Sequence, residues 1–98
     1  MNDIFFTGKL LDNPTSVKNS DGEKIVKYRL YKAFKHGDAL ETIVIECRAS
    51  GKNAEIAKEY LFQEKKVTVK GCLISKYIKR TDEISDVTIL VEHQDFEP

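Results

Sequence analysis

Aromatic and basic side chains alternate in two short stretches of the chain, at residues 27–35 and 76–80. The first stretch reads KYRLYKAFK and the second reads KYIKR. Lysine and arginine can neutralise the phosphates of a nucleic acid, and an exposed aromatic ring can stack on an unpaired base for about 1–3 kcal/mol. The two stretches therefore predict a surface that binds single-stranded nucleic acid.

The aromatic side chains have an alternative role, because Tyr and Phe in strands usually pack in the core or against a neighbouring strand. We expect that role for Tyr28 and Phe6, whose neighbours are apolar at every second position. Phe34 fits either role equally well. Tyr31 shares its strand face with basic side chains, and Tyr77 lies within a basic arm, so we expect both to stack on bases.

Charged residues are segregated along the chain, although 16 basic and 16 acidic residues give a formal net charge of zero. The windows 24–37 and 65–80 hold 11 of the basic residues and no acid, whereas the segment from residue 81 onward holds six acids and no Lys or Arg. A neutral chain with this distribution can still present a basic face to a nucleic acid. The residues predicted to contact it, as phosphate ligands or stacking rings, are Lys9, Lys27, Arg29, Tyr31, Lys32, Phe34, Lys35, Arg48, Lys52, Lys70, Lys76, Tyr77, Lys79 and Arg80.

The Gly51-Lys52 pair invites comparison with the phosphate-binding loop of nucleotide hydrolases. That loop requires a glycine five residues before the pair and a Ser or Thr directly after it. This chain has Glu46 and Asn53 at those positions. We therefore interpret Gly51 as the turn between a strand and a helix, and Lys52 as a candidate phosphate contact.

No catalytic residue, metal or cofactor is predicted. A zinc site built from both histidines and both cysteines would lack the closely spaced ligand pairs that are usual for zinc. The two isolated cysteines indicate reduced thiols. The chain has no apolar run of membrane-spanning length and no signal-peptide pattern, so we expect a non-enzymatic cytoplasmic protein without a membrane partner. The rejected zinc ligands are His36, Cys47, Cys72 and His93.

Strand patterns dominate what we expect to be a single domain, 1–98. The order of three strands, one helix and two strands is that of the OB-fold, a five-stranded Greek-key barrel with a helix between the third and fourth strands. Alternation turns Val87, Ile89 and Val91 inward, and Gly71 marks an expected bulge. The predicted strands cover residues 3–11, 24–34, 42–49, 65–79 and 85–96, and the predicted helix covers residues 52–62.

Four segments resemble, in order and spacing, the bacterial single-stranded DNA-binding protein family. They read MNDIFFTGKLLDNP, DGEKIVKYRL, GKNAEIAKEYL and VTVKGCLISKY. The resemblance implies an OB-fold that binds single-stranded DNA in replication, repair or recombination, from a bacterial, phage or plasmid source. It also implies a homodimer or homotetramer, and the apolar first strand, with Phe5 turned away from Ile4 and Phe6, offers a surface for a second copy.

Several departures from the family pattern leave other roles open. Ser50 stands where the family usually has an aromatic residue before Gly-Lys, and the chain contains no Trp. Tyr77 lies one position closer to Gly71 than the family's aromatic residue, and no acidic tail follows HQDFEP. These features are similar to those of the related dimeric primosomal replication protein B. The alternatives are therefore a primosomal or mobile-element adaptor that acts mainly through protein contacts with replication or primosome proteins, and an RNA-binding OB module.

Overall fold

A computed structural model describes residues 2–75, 77–78, 81, 83–84 and 87–97 of the chain. Strands dominate these residues, and one helix follows the fourth strand. The elements are β1 (Ile4–Leu10), β2 (Thr15–Lys18), β3 (Lys24–His36), β4 (Ala39–Ser50), α1 (Gly51–Tyr60), β5 (Lys66–Ile74), β6 (Tyr77–Ile78), β7 (Glu83–Ile84) and β8 (Thr88–Asp95).

The five long strands, β1, β3, β4, β5 and β8, form a closed barrel. Their order is β1-β5-β8-β4-β3, and all neighbours are antiparallel except the parallel pair β4 and β8. The pairing of Lys9 with Tyr31, and of Leu10 with Leu30, joins β1 to β3 and closes the ring. Helix α1 lies between β4 and β5, the third and fourth of the long strands. The predicted OB-fold is therefore confirmed.

Two short strands, β2 and β7, lie outside the five predicted strands. β2 pairs with the first half of β3 at the edge of the sheet, and β6 pairs with β7 in a separate ribbon. The strand predicted over residues 65–79 is divided in the structure, since β5 ends at Ile74 and β6 covers Tyr77–Ile78. The expected bulge is confirmed, since the register of β5 against β8 shifts between Lys70 and Gly71.

Side chains of β3 alternate between the barrel interior and the surface, as a pleated strand requires. Val26, Tyr28 and Leu30 are buried, and Phe6 on β1 packs against the same core. Each buried apolar side chain of this size stabilises the fold by about 1.5–3 kcal/mol. Val87, which was predicted to point inward, is 45% exposed because it precedes β8. The other core residues are Leu10, Ile45, Cys47, Ala49, Ala54, Ala57, Leu61, Val67, Val69, Ile89 and Val91.

A hydrogen-bond chain that begins in the core fastens the helix to the barrel. The Tyr28 hydroxyl donates to Oε1 of Gln94 at 2.7 Å, and Nε2 of Gln94 donates to the carbonyl of Asn53 at 3.1 Å. Nδ2 of Asn53 in turn donates to the carbonyl of Glu92 on β8. Because an unsatisfied buried polar group costs about 1–3 kcal/mol, this chain fixes the first turn of α1 against β8.

Gly51 forms the junction between β4 and α1. Its φ of +57° lies in the left-handed region, which residues with a Cβ rarely adopt. Ser50 before it has an extended backbone. The interpretation of Gly51 as a strand-to-helix turn is therefore confirmed. The helix buries Ala54 and Ala57 and stops at Tyr60, two residues before the predicted end. Within the described residues, no helix has the length and apolar character needed to cross a lipid bilayer.

The thiol of Cys47 is expected to be unreactive in the folded protein. Burial raises its pKa from 9.0 to about 12, with a further contribution from Glu46, and the thiolate is the reactive form. In a Cys72→Ser variant, which leaves Cys47 as the single cysteine, we expect Ellman's reagent at pH 8 to react at least about a hundredfold more slowly with native than with urea-unfolded protein. Equal rates would contradict this expectation.

The same burial makes the stability sensitive to alkali. The pKa values of Cys47 and Tyr28 are both raised in the fold, chiefly by desolvation, so the unfolded chain loses these protons first. The free energy of unfolding should stay level up to about pH 9 and fall above it. Urea titrations across this pH range measure the effect, and a Tyr28→Phe variant should show a smaller fall.

Candidate nucleic-acid interface

The closure of the barrel brings Lys9, Tyr31 and Lys66 together on its outer surface. Lys9 on β1 lies opposite Tyr31 on β3 and also opposite Lys66 on β5. Lys9 and Lys66 are exposed and Tyr31 is half-buried. Together with Lys32 they line a groove of about 400 Å³, which we call the basic groove and define as Lys9, Tyr31, Lys32 and Lys66.

Lys66 was not among the predicted contacts. It stands in the acid-free window 65–80, which gave the only signal in the sequence that could have found it. Only the strand register shows that Lys66, and not Lys65, lies beside Lys9. Lys66 is paired with Lys9, whereas Lys65 precedes β5. A cation pair across two strands is unfavourable unless an anion neutralises it, so this pair favours an anionic ligand.

Glu64 places an acid at the edge of the basic groove. Its carboxylate accepts a hydrogen bond from the Tyr31 hydroxyl, and this bond raises the pKa of Tyr31. Glu64 also has a φ of +74°, and its N–H donates to the carbonyl of Leu10 at 2.8 Å. The backbone therefore holds the carboxylate beside the predicted stacking ring, where it opposes phosphate binding.

We expect Glu64→Gly to raise the affinity for single-stranded DNA about threefold or more, because it removes a negative charge beside the phosphates. Glycine also relieves a left-handed backbone conformation that costs other residues about 1–2 kcal/mol, so the free energy of unfolding should not fall. Glu64→Gln is the matched control: it removes the charge and keeps the backbone cost. A weaker affinity in both variants would show that Glu64 supports binding.

Two predicted arginines on β3 and β4 are already bonded to acids. Arg29 forms an ion pair with Asp12, and the hydrogen bond between them raises the pKa of the Arg29 guanidinium. Nη2 of Arg48 lies 3.5 Å from Oε2 of Glu46. Lys27 lies opposite Arg48 and lines a shallow cavity together with Asp12 and Glu46. Positive charge on this part of the surface is consequently smaller than the count of basic residues indicates.

The β3–β4 hairpin continues beyond the barrel as an exposed arm. The register of the two strands is continuous to the pair of His36 and Ala39, so successive side chains take opposite faces. Lys32 and Phe34 lie on one face of the arm, whereas Lys35 lies on the face of Tyr31. Phe34 is 45% exposed, which excludes it from the core and leaves it free to stack.

Lys70 is brought to the same outer face of β5 as Lys66, with Thr68 between them. It lies opposite Phe5, and its ammonium is 5.9 Å from the centroid of the Phe5 ring. Lys52 is exposed in the first turn of α1. Val44 on β4 pairs with Tyr31, and β4 runs about 20 Å further to its end at Ser50. Lys52 follows that end and therefore lies apart from the basic groove.

Four predicted contacts cannot be placed in this arrangement. Lys76, Lys79 and Arg80 lie outside the described residues, and for Tyr77 only the backbone pairing with Ile84 is described.

In the described part of the chain, no three His, Cys, Asp or Glu side chains gather closely enough to hold a metal ion.

Comparison with known proteins agrees with this geometry. The model of the single-strand binding protein family matches residues 1–97 of the chain. No curated protein matches it significantly. The family match covers nearly the whole sequence and includes every element of the barrel described above. The chain belongs to the single-strand binding protein family.

Proposed function

We propose that this protein binds single-stranded DNA with little sequence preference, through the basic groove and the outer faces of β3 and β5. Membership of the single-strand binding protein family supports single-stranded DNA binding in general. The observation that carries the proposal is the adjacency of Lys9, Lys66 and Tyr31 across three strands. It offers two cations for phosphates beside one ring for a base, a combination that does not distinguish between base types.

The other predicted contacts extend this path in two directions. Along β5, Lys70 continues the row of Lys66, and along the β3–β4 arm Lys32, Lys35 and Phe34 are exposed. Lys27, Arg29, Arg48 and Lys52 contribute at the far end of β3 and β4, where acids share the surface. The contacts at Lys76, Tyr77, Lys79 and Arg80 remain predictions from the sequence. We assign this binding to DNA replication, repair or recombination.

Titration of fluorescein-labelled oligo-dT, followed by anisotropy at several salt concentrations, tests the proposal. The logarithm of the binding constant should fall with the logarithm of salt, with a slope of about −0.7 for each neutralised phosphate. Competition by matched oligo-rU decides whether RNA is an equal ligand. Undetectable binding at low salt, or binding without salt dependence, would overturn the proposal.

A second candidate function is that of a protein-interaction module. The acid partners of Arg29 and Arg48 favour it, as does the exposed apolar surface of the arm, where Leu40 is 72% exposed. Replacing Tyr31 and Tyr77 together with Ala separates the two functions. Unchanged affinity for single strands would exclude stacking as the mechanism and favour the adaptor role.

We also propose that the protein assembles as a homodimer or homotetramer. β1 pairs with β3 only at Lys9 and Leu10, so the edge from Ile4 to Gly8 has no partner strand on that side within the described residues. Phe5 in this edge is 69% exposed. A second copy would cover both features. Sedimentation velocity at micromolar concentration is the test, and a monomer would contradict assembly.

A further inference from the structure

A second groove, lined by aromatic rings, lies beside the basic groove at the end of the barrel. The ammonium of Lys65 lies between two rings, 5.2 Å from the centroid of Phe62 and 5.4 Å from that of Phe96. It donates a hydrogen bond of 2.6 Å to the carbonyl of Glu97. The cavity measures about 560 Å³. We call it the aromatic groove and define it as Phe62, Lys65, Lys66, Asp95, Phe96 and Glu97.

The local chain geometry turns Phe62 to the surface. Helix α1 ends at Tyr60, and Leu61 is extended and buried in the core, so the next side chain points outward. Phe62 is 56% exposed. Phe96 is half-buried, and its ring lies 6.1 Å from that of Tyr60 at an interplanar angle of 34°. Tyr60, Phe62 and Phe96 thus lie around one surface site, where Tyr60 and Phe62 are each more than half exposed.

Lys66 lines both grooves. A strand whose phosphates are neutralised by Lys9 and Lys66 therefore meets the aromatic groove at its next nucleotides. Asp95 and Glu97 also line the aromatic groove, and their carboxylates repel phosphates. The phosphates therefore stay at Lys66, where the two grooves meet, and a base enters the aromatic groove.

We propose that the bound DNA continues from the basic groove past Lys66 into the aromatic groove, where a base stacks on Phe62. This inference rests on the proposed function and adds to it a stacking site outside the two aromatic–basic stretches of the sequence. Base stacking on an exposed ring needs no particular base.

The absence of Trp from the chain allows a direct test. Phe62→Trp introduces a single tryptophan, whose fluorescence a stacked base quenches. With an oligo-dT of about 15 nucleotides, near the upper site size for one OB-fold, the quenching should saturate at the concentration at which the anisotropy of the labelled oligonucleotide saturates. Ser20→Trp, in the exposed turn between β2 and β3, is the matched control and should not be quenched.

Phe62→Ala provides a second measurement, and a thermal melt checks that the variant is folded. The affinity should fall about fivefold or more, as expected for the loss of one stacked base. Normal DNA binding without quenching of Phe62→Trp, and without weakening by Phe62→Ala, would overturn this inference and leave the proposed function intact. Undetectable DNA binding by the wild-type protein would overturn the proposed function itself, and this inference with it.

Discussion

Reversing the charge of both Lys9 and Lys66, as Lys9→Glu with Lys66→Glu, is expected to weaken single-stranded DNA binding at low salt by about a hundredfold or more. The two side chains lie directly opposite each other across β1 and β5, so a strand bound in the basic groove would place the same phosphates against both. Two carboxylates at that point would repel the same phosphates, and a like-charge juxtaposition costs several kcal/mol.

Salt dependence gives an independent readout of this variant. The loss of two phosphate contacts should make the slope of log affinity against log salt shallower by about 1.4, at about 0.7 for each contact. Anisotropy titrations of labelled oligo-dT at several salt concentrations supply both the affinity and the slope. A slope equal to that of the wild-type protein would mean that neither lysine contacts a phosphate.

The chain offers a matched control for this experiment. Lys18 and Lys24 form another cross-strand lysine pair, between β2 and β3, and both are exposed. Lys18→Glu with Lys24→Glu changes the net charge by the same amount at a site outside the basic groove. We expect a loss of at most about threefold, from long-range repulsion alone. Equal losses in the two double variants would show that net charge, and not the basic groove, governs binding.

The barrel could be predicted because its strands carry local signals. Val26, Tyr28 and Leu30 alternate with polar residues, and the single helical pattern stands between the third and fourth such runs. β2 gave no comparable signal, since all four of its residues are exposed and it acquires strand geometry only by pairing with β3. Val87 was misplaced for a related reason: alternation reports which residues share a face, but not where the strand begins.

The candidate interface was proposed from residue types in the sequence, whereas the arrangement of those residues required the structure. Glu46 and Arg48 share a strand face, so their ion pair could have been read from the sequence. The pairing of Arg29 with Asp12 required the loop after β1 to fold back over β3, which no local pattern shows. Lys66 and the Phe62–Phe96 pair likewise depend on strand register and on the end of α1. Charge counts therefore identified which segments are basic, and the tertiary structure showed that Arg29 and Arg48 in them are paired with acids.

Gly71→Ala is expected to reduce the free energy of unfolding by about 3–5 kcal/mol, the range of the most disruptive single substitutions. A Cβ at this position would lie 2.0 Å from the carbonyl oxygen of Leu90 and 3.0 Å from Cγ2 of Ile89. The carbonyl belongs to the backbone of β8, so it cannot move without disturbing the pairing of β5 with β8. Since small domains are stable by only about 5–15 kcal/mol, the variant should be largely or partly unfolded at 37 °C.

Gly51→Ala separates this clash from the ordinary cost of replacing a glycine. A Cβ at Gly51 would meet nothing within 4 Å, and only the left-handed φ of the junction opposes it, which costs about 1–2 kcal/mol. Urea unfolding of both variants at one temperature compares the two costs. Equal destabilisation would mean that the bulge at Lys70 and Gly71 yields to a side chain. A much larger loss at Gly71 would show that the close contact between β5 and β8 requires glycine.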